Sequence, residues 1–276
     1  MWKSILVVLL VLSFVKVGLA QLDLPRPSPN SSVMQYVGIT KVEITYSSPG
    51  VKGRKIWGGL VPYDKVWRTG ANDATEMHFS TDVKINGQNL PAGKYSFFTV
   101  PGETEWTVIF NSRTDIEGLD YQEDADVLKL KVKPETGGFR ERMTFLIENN
   151  TNDAADIVLH WEKLRLILKM EVATNEMIMK NAEKEIGDTW ETPYRAANYC
   201  LQQNINLDKA MEWVNLSISL KETYWNTKVK AQLQAKEGKK NEAIKTMTKA
   251  IAMGEKMDNE PFDFSAMKKM LDNWKK

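Results

Sequence analysis

The sequence predicts an α+β chain of two domains, an antiparallel β-sandwich followed by an α-helical, tetratricopeptide-like repeat domain. Three observations carry that prediction. Short apolar runs of period two recur from Val42 to Met170, the spacing changes to steps of three and four after Met170, and one helical segment recurs there at an offset of 33 residues. Period two lines one face of a strand, whereas steps of three and four line one face of a helix.

The chain opens on Lys3, an apolar run from Ile5 to Val15 broken only by Ser13, and then Gly18 and Ala20. A basic start, a short apolar stretch and small residues before a cut after Ala20 are the layout of a secretory signal peptide. The run is shorter than the roughly 20 apolar residues that span a bilayer, so no membrane span is expected after cleavage. Residues 1–20 are therefore read as a signal peptide and the product as exported, periplasmic or extracellular. Residues 21–32, QLDLPRPSPNSS, are rich in Pro and Ser and read as a linker or lead-in strand.

The β-sandwich is assigned to residues 33–170. Val42, Ile44 and Tyr46 alternate with Glu43 and Thr45, and Val83 and Ile85 lead into Asn86-Gly87, a two-residue hairpin signal. Tyr95, Phe97 and Thr99 run to a Pro101-Gly102 turn, and Trp106, Val108 and Phe110 return. Four more runs follow: Leu128–Val132, Met143–Ile147, Ile157–Trp161 and Leu164–Met170. Short alternating strands separated by turn residues bury one face and leave the other to water, the pattern of packed antiparallel sheets.

The helical domain is assigned to residues 171–276. Ile178, Ala182 and Ile186 are spaced by four and Gly187 is a stop signal; Thr192-Pro193 reads as an N-cap and first turn. KAMEWVNLSI from Lys209 aligns with EAIKTMTKAI from Glu242, with Ala210 matching Ala243. The offset lies close to the tetratricopeptide period of about 34. Ala197 and Ala231 supply small contact residues in the preceding helices, and Met267, Met270, Leu271 and Trp274 form a final amphipathic stripe. A stack of helical hairpins is a docking architecture, so a protein partner is expected there.

Composition limits the function. Lys and Arg number 37 against 36 Asp and Glu, so no net field favours nucleic acid. Cys200 is the only cysteine, which excludes an internal disulfide, and its apolar neighbours mark it as a buried packing group. The only histidines, His78 and His160, lack metal-ligand spacing, and no cofactor motif is present, so neither metal nor cofactor is expected. No G-x-S-x-G elbow occurs either.

Chemistry-bearing residues concentrate at 49–80, where Gly50, Gly53, Gly58, Gly59 and Gly70 shape a loop. Arg54, Trp57, Trp67, Arg68, Asn72, Asp73, Glu76 and His78 within it are the candidate binding residues for a small ligand or glycan. The plain structural alternative has the tryptophans capping the sandwich and Arg68 paired with Asp73 or Glu76. An exported hydrolase or carbohydrate-active enzyme would instead use Arg68 and Asn72 to orient substrate and Asp73, Glu76 or His78 to move protons.

Residues 34–110, from MQYVGITKVEITYSSPGVKGRKIWGG through VWRTGANDATEMHFS to VKINGQNLPAGKYSFFTV and WTVIFN, resemble the exported bacterial family known as domain of unknown function 2911. The resemblance continues through DVLKLKVKP and IVLHWEKLRL, and the helical tail is similar to one that many members carry. It implies a Gram-negative envelope protein and transfers no catalytic residue. The family's GRKI and WRTGAN segments fall on Gly53–Ile56 and Trp67–Asn72, inside the same loop. Asp64 stands where members often have Gly. The leading expectation is a non-enzymatic binding or scaffold module presenting the 49–80 loop.

Overall fold

The computed structural model describes residues 24–114, 120–186 and 189–276. The signal peptide read at 1–20 and the helix stop read at Gly187 lie outside the described residues.

Among the described residues ten strands precede the helices: β1 (Asn30–Val37), β2 (Thr40–Ser47), β3 (Thr75–Phe79), β4 (Val83–Ile85), β5 (Gln88–Leu90), β6 (Gly93–Val100), β7 (Trp106–Asn111), β8 (Asp126–Val132), β9 (Glu135–Glu148) and β10 (Ala154–Val172). They form a six-stranded sheet of order β1-β2-β3-β6-β7-β8 and a four-stranded sheet of order β5-β4-β10-β9. Every pairing of neighbours is antiparallel. One core lies between the sheets, with Ile44, Met77 and Phe97 from one and Ile85, Phe145 and Leu166 from the other. In β2 the odd face, Lys41, Glu43 and Thr45, stays toward water while Val42, Ile44 and Tyr46 are buried, the two-faced pattern of an antiparallel sheet.

The hairpin signal at Asn86-Gly87 joins β4 to β5, with φ of 48° and 79°. Two successive positive φ values make the tight turn whose twist matches a hairpin. β1 begins inside the stretch read as linker or lead-in strand and pairs with β2 from Asn30↔Ser47 to Val37↔Thr40.

The strand count is corrected at one place. The runs Ile157–Trp161 and Leu164–Met170 are not two strands but the single strand β10. Its register against β9 shifts on both sides of Glu162, whose φ is 54°. Between His160 and Arg165 the partner strand runs from Thr144 to Glu135, so β9 carries the extra residues, while β10 itself changes phase at the left-handed Glu162. The inward set therefore changes from Ile157, Leu159 and Trp161 to Leu166, Leu168 and Met170, all buried.

After Ala173 alone, the described residues form six α-helices: α1 (Thr174–Glu185), α2 (Glu191–Gln203), α3 (Leu207–Leu220), α4 (Tyr224–Lys236), α5 (Lys240–Gly254) and α6 (Phe264–Lys275). Helix α2 packs on α3, α3 on α4, α4 on α5 and α5 on α6. The two recurring segments lie in α3 and α5, where Ala210 and Ala243 are fully buried, as are Ala197 in α2 and Ala231 in α4. Small side chains there allow close helix approach. Thr192 is not the N-cap of α2: the helix starts at Glu191 after Trp190, so Thr192 and Pro193 occupy its first turn. Pro remains tolerable there because a first-turn N–H has no intrahelical acceptor. Cys200 is buried against Met179, and burial pushes its thiol pKa up, which fits packing rather than reactivity. Among the described residues no helix is long and apolar enough to cross a membrane.

Candidate functional site

The chain between β2 and β3, residues 48–74, is held in an unusual conformation. Lys52, Gly53, Gly58, Asp64, Thr69 and Asn72 all have positive φ. Asp64, at 56°, adopts a left-handed backbone that suits Gly best and that Asp tolerates. Thr69, at 54°, is a β-branched residue in a strained region. Three contacts hold it: its Oγ1 lies 3.2 Å from Trp67 O and 3.1 Å from Thr99 Oγ1, and its carbonyl accepts from Thr75 Oγ1 at 2.7 Å. A donor cannot serve both acceptors fully at once, so the Thr69–Thr99 hydroxyl pair shares its protons.

Both ends of this segment are pinned to the sandwich. At its start, Ser48 Oγ donates to Met143 O at 2.7 Å and Val51 N to Glu141 O at 2.8 Å, linking the loop to β9. Near its end, Trp67 exchanges backbone bonds of 2.7 and 2.9 Å with Thr99 of β6. Trp67 thus occupies the place along β6 that β3 would reach if it extended past Thr75, which pairs with Phe97.

Four indoles meet under the loop. Trp57 lies 4.9 Å from Trp106, 5.7 Å from Trp161 and 5.9 Å from Trp67 between ring centroids, all edge-on, while Trp67 and Trp161 stack at 5.9 Å and 24°. Trp67 Nε1 donates to Gly70 O at 3.0 Å. Trp57 Nε1 and Trp161 Nε1 are buried and have no hydrogen-bond partner in the protein, and the same holds for Arg68 Nε.

A cavity of about 380 Å³ opens beside these groups, walled by Arg54, Lys65, Arg68, Trp67, Trp161 and Leu60, with Ser28 of the lead-in segment at its rim. Its lining contains no Asp, Glu or His. Arg54 is clamped, its Nη2 donating to Gly50 O at 2.6 Å and its Nε to Val51 O at 3.1 Å.

Of the eight residues singled out by sequence, the structure brings Arg54, Trp67 and Arg68 together on the cavity. Trp57 stands behind them in the indole cluster. Asn72, at φ 57°, ties the lead-in segment down through Nδ2 bonds of 3.1 Å to Ser47 Oγ and 3.3 Å to Ser28 O. Asp73 is exposed. Glu76 and His78 are not in the loop but on the solvent face of β3, where His78 stands between Glu43 of β2 and Lys94 of β6. Arg68 pairs with neither Asp73 nor Glu76, so the expected ion pair is absent. Sequence reasoning passed over Lys65 and Trp161. Lys65 sits within the glycine-rich stretch and could have been counted as its further cation. Trp161 lies far along the chain and reads there as an ordinary strand hydrophobe.

A second cavity, of about 590 Å³, lies among the helices and includes Tyr194, Trp225, Lys228, Phe262, Asp263 and Trp274 in its walls. Lys228, almost fully buried, pairs with Asp263 and lies 4.4 Å from the Trp225 ring centroid and 5.6 Å from that of Phe262. Tyr224 donates to Asp263 Oδ1 at 2.9 Å; burial first, and then that carboxylate, raise the Tyr224 phenol pKa.

A family model described as "Protein of unknown function (DUF2911)" matches residues 28–170, which takes in the cavity and the strands around it. No curated protein and no solved structure matches the chain.

Proposed function

The chain belongs to the DUF2911 family, and on that premise we propose that it is an exported envelope binding protein. The sandwich holds a small ligand in the cavity beneath residues 48–74, and the helical repeats dock a protein partner. The observation that carries this reading is Trp161: its side chain is almost wholly buried, it lines the cavity, and its indole N–H has no acceptor in the protein. Leaving a buried donor unpaired costs about 1–3 kcal/mol, a cost that an acceptor on a ligand removes. Strained backbone at Thr69 beside the cavity points the same way, because strain persists where a site needs a particular shape.

The hydrolase reading asked Asp73, Glu76 or His78 to move protons at the same place. None of the three lines the cavity, so binding is the better supported reading.

A thermal-shift screen of the purified protein against glycans, organic acids and peptides tests the proposal, with Arg68→Ala alongside. A ligand at about 100 times its Kd adds about 2.7 kcal/mol and raises the midpoint by several degrees. A shift lost in the folded variant supports the cavity as the site; a shift unchanged by the variant places binding elsewhere. Export is tested separately by mass spectrometry of the protein recovered from the envelope, where processing after Ala20 leaves Gln21 at the N-terminus.

A further inference from the structure

We propose that the sandwich cavity takes a ring-bearing oxyanion, a small molecule with a carboxylate or phosphate group attached to a sugar-sized or aromatic ring; this rests on the ligand-binding reading above. Four features of the cavity converge on that chemistry.

The first is charge. Arg54, Lys65 and Arg68 line the cavity, and none of them has an acidic partner within ion-pair distance. Three like charges facing one space repel one another, and an anion between them turns that repulsion into attraction. The second is hydrogen-bonding capacity. Two residues of the lining, Trp161 and Arg68, each carry a buried N–H with no partner in the protein, Nε1 and Nε, and both groups are donors. An indole N–H and a guanidinium N–H can only be completed by acceptors, and charge-assisted bonds to an oxyanion are the stronger kind.

The third is preorganisation. Arg54 is fixed by Gly50 O and Val51 O through Nη2 and Nε, which leaves Nη1 for another acceptor. A guanidinium already held by two carbonyls loses little freedom on binding. The fourth is shape. Trp67 and Trp161, stacked on one another, both contribute to the lining, and a volume of about 380 Å³ is near the lower end of the range for small-molecule pockets, room for one ring and its substituents. Aromatic faces suit the apolar face of a sugar or another flat ring, and the cations suit its acid group.

Isothermal titration at low salt tests this with D-glucuronate, glucose 6-phosphate, D-glucose and inorganic phosphate as probes. Expected is binding of one or both ring acids at least tenfold tighter than glucose, weakening as salt rises. The better of the two acids identifies carboxylate or phosphate as the group held. Arg68→Gln and, separately, the exposed Lys65→Gln should each weaken the acid at least fivefold while far-UV circular dichroism stays unchanged. Glucose binding as tightly as the acids overturns the anion inference and leaves the binding reading standing. Inorganic phosphate binding as tightly as glucose 6-phosphate overturns the ring. No binding by any probe overturns the inference, while a response to some other ligand in the thermal screen would still preserve the broader reading.

Discussion

Gly38→Ala tests how tightly the sandwich and the helices are joined. Gly38 forms the β1–β2 turn with φ of 56°, and a Cβ built there overlaps both Thr174 Oγ1 and Asn152 O. Thr174, the first residue of α1, is buried and donates to Asn152 O at 2.5 Å. Three costs therefore add. An L-residue in left-handed backbone costs about 1–2 kcal/mol. Displacing the Thr174 hydroxyl forfeits a hydrogen bond of about 1 kcal/mol. Overlap with the Asn152 carbonyl cannot be relieved by a rotamer change, so backbone must move, an overpacking cost of about 1–3 kcal/mol. The expected total is about 4 kcal/mol. Gly87→Ala supplies the control: φ is 79°, yet nothing lies within 4 Å of the added Cβ, so only the conformational cost of about 1 kcal/mol applies. Urea denaturation of both variants, followed by tryptophan fluorescence, which reports on indoles in both parts of the chain, and by circular dichroism for the helices, measures the difference. Thr174→Ala combined with Gly38→Ala should cost less than the two singles added, because one overlap is gone. Equal losses for Gly38→Ala and Gly87→Ala would refute the claim that the turn is pressed against α1.

Three further outcomes are expected. Burial opposes ionisation of Asp156, but hydrogen bonds from Asn149 at 2.7 Å and Lys169 at 2.9 Å outweigh it and hold the carboxyl below its usual range. Its stabilising effect is therefore complete above the unfolded carboxylate pKa near 4 and is lost as pH falls through the lower folded value; Asp156→Asn should flatten the acid limb of a denaturation midpoint against pH. Lys228→Met leaves Asp263 with Tyr224 alone in a mostly buried place and should cost about 2 kcal/mol in urea denaturation, with part of the loss recovered by Lys228→Met/Asp263→Asn. Glu162→Gly, at φ 54°, relieves an L-residue held in left-handed backbone and should leave the urea stability within about 1 kcal/mol of the parent.

Legibility in the sequence followed burial. β2 alternates buried and solvent-facing residues along most of its length, so its period-two run could be read directly, whereas β6 and β7 also bury Phe98 and Ile109 on the opposite face, against Ala74. β1 leaves Met34 and Tyr36 exposed at the sheet edge, and its alternation is correspondingly faint. β10 alternates on either side of Glu162 but changes phase there, and a phase shift in one dimension looks like a gap between two strands. The helical register was visible because Ala210 and Ala243 must both be small. At the site, glycine and tryptophan density marked residues 49–80, since tight turns and close indole packing need those residue types. The cavity was not visible, because its far wall is Trp161, brought there by sheet packing from 80 or more residues downstream of most of the loop. Glu76 and His78 were drawn into the candidate set by proximity along the chain, whereas the strand they occupy points them the other way.

Ala173 is the whole joint between the sandwich and the helices, with φ −86° and ψ 54°. On its sandwich side, β10 runs from Trp161 at the cavity to Val172, about 35 Å at the usual strand rise. On its helix side, Met177 N already bonds back to Ala173 O at 3.0 Å, and Val172 N is held by Asp153 O at 2.8 Å. Such a connection has the mechanics of a bracket rather than of a tether. Two torsions set the bearing of the helical cavity relative to the sandwich cavity, and the Thr174–Asn152 bond braces them. Two occupants would therefore be kept at a set separation and heading, where a flexible linker would let that separation vary with the square root of its length.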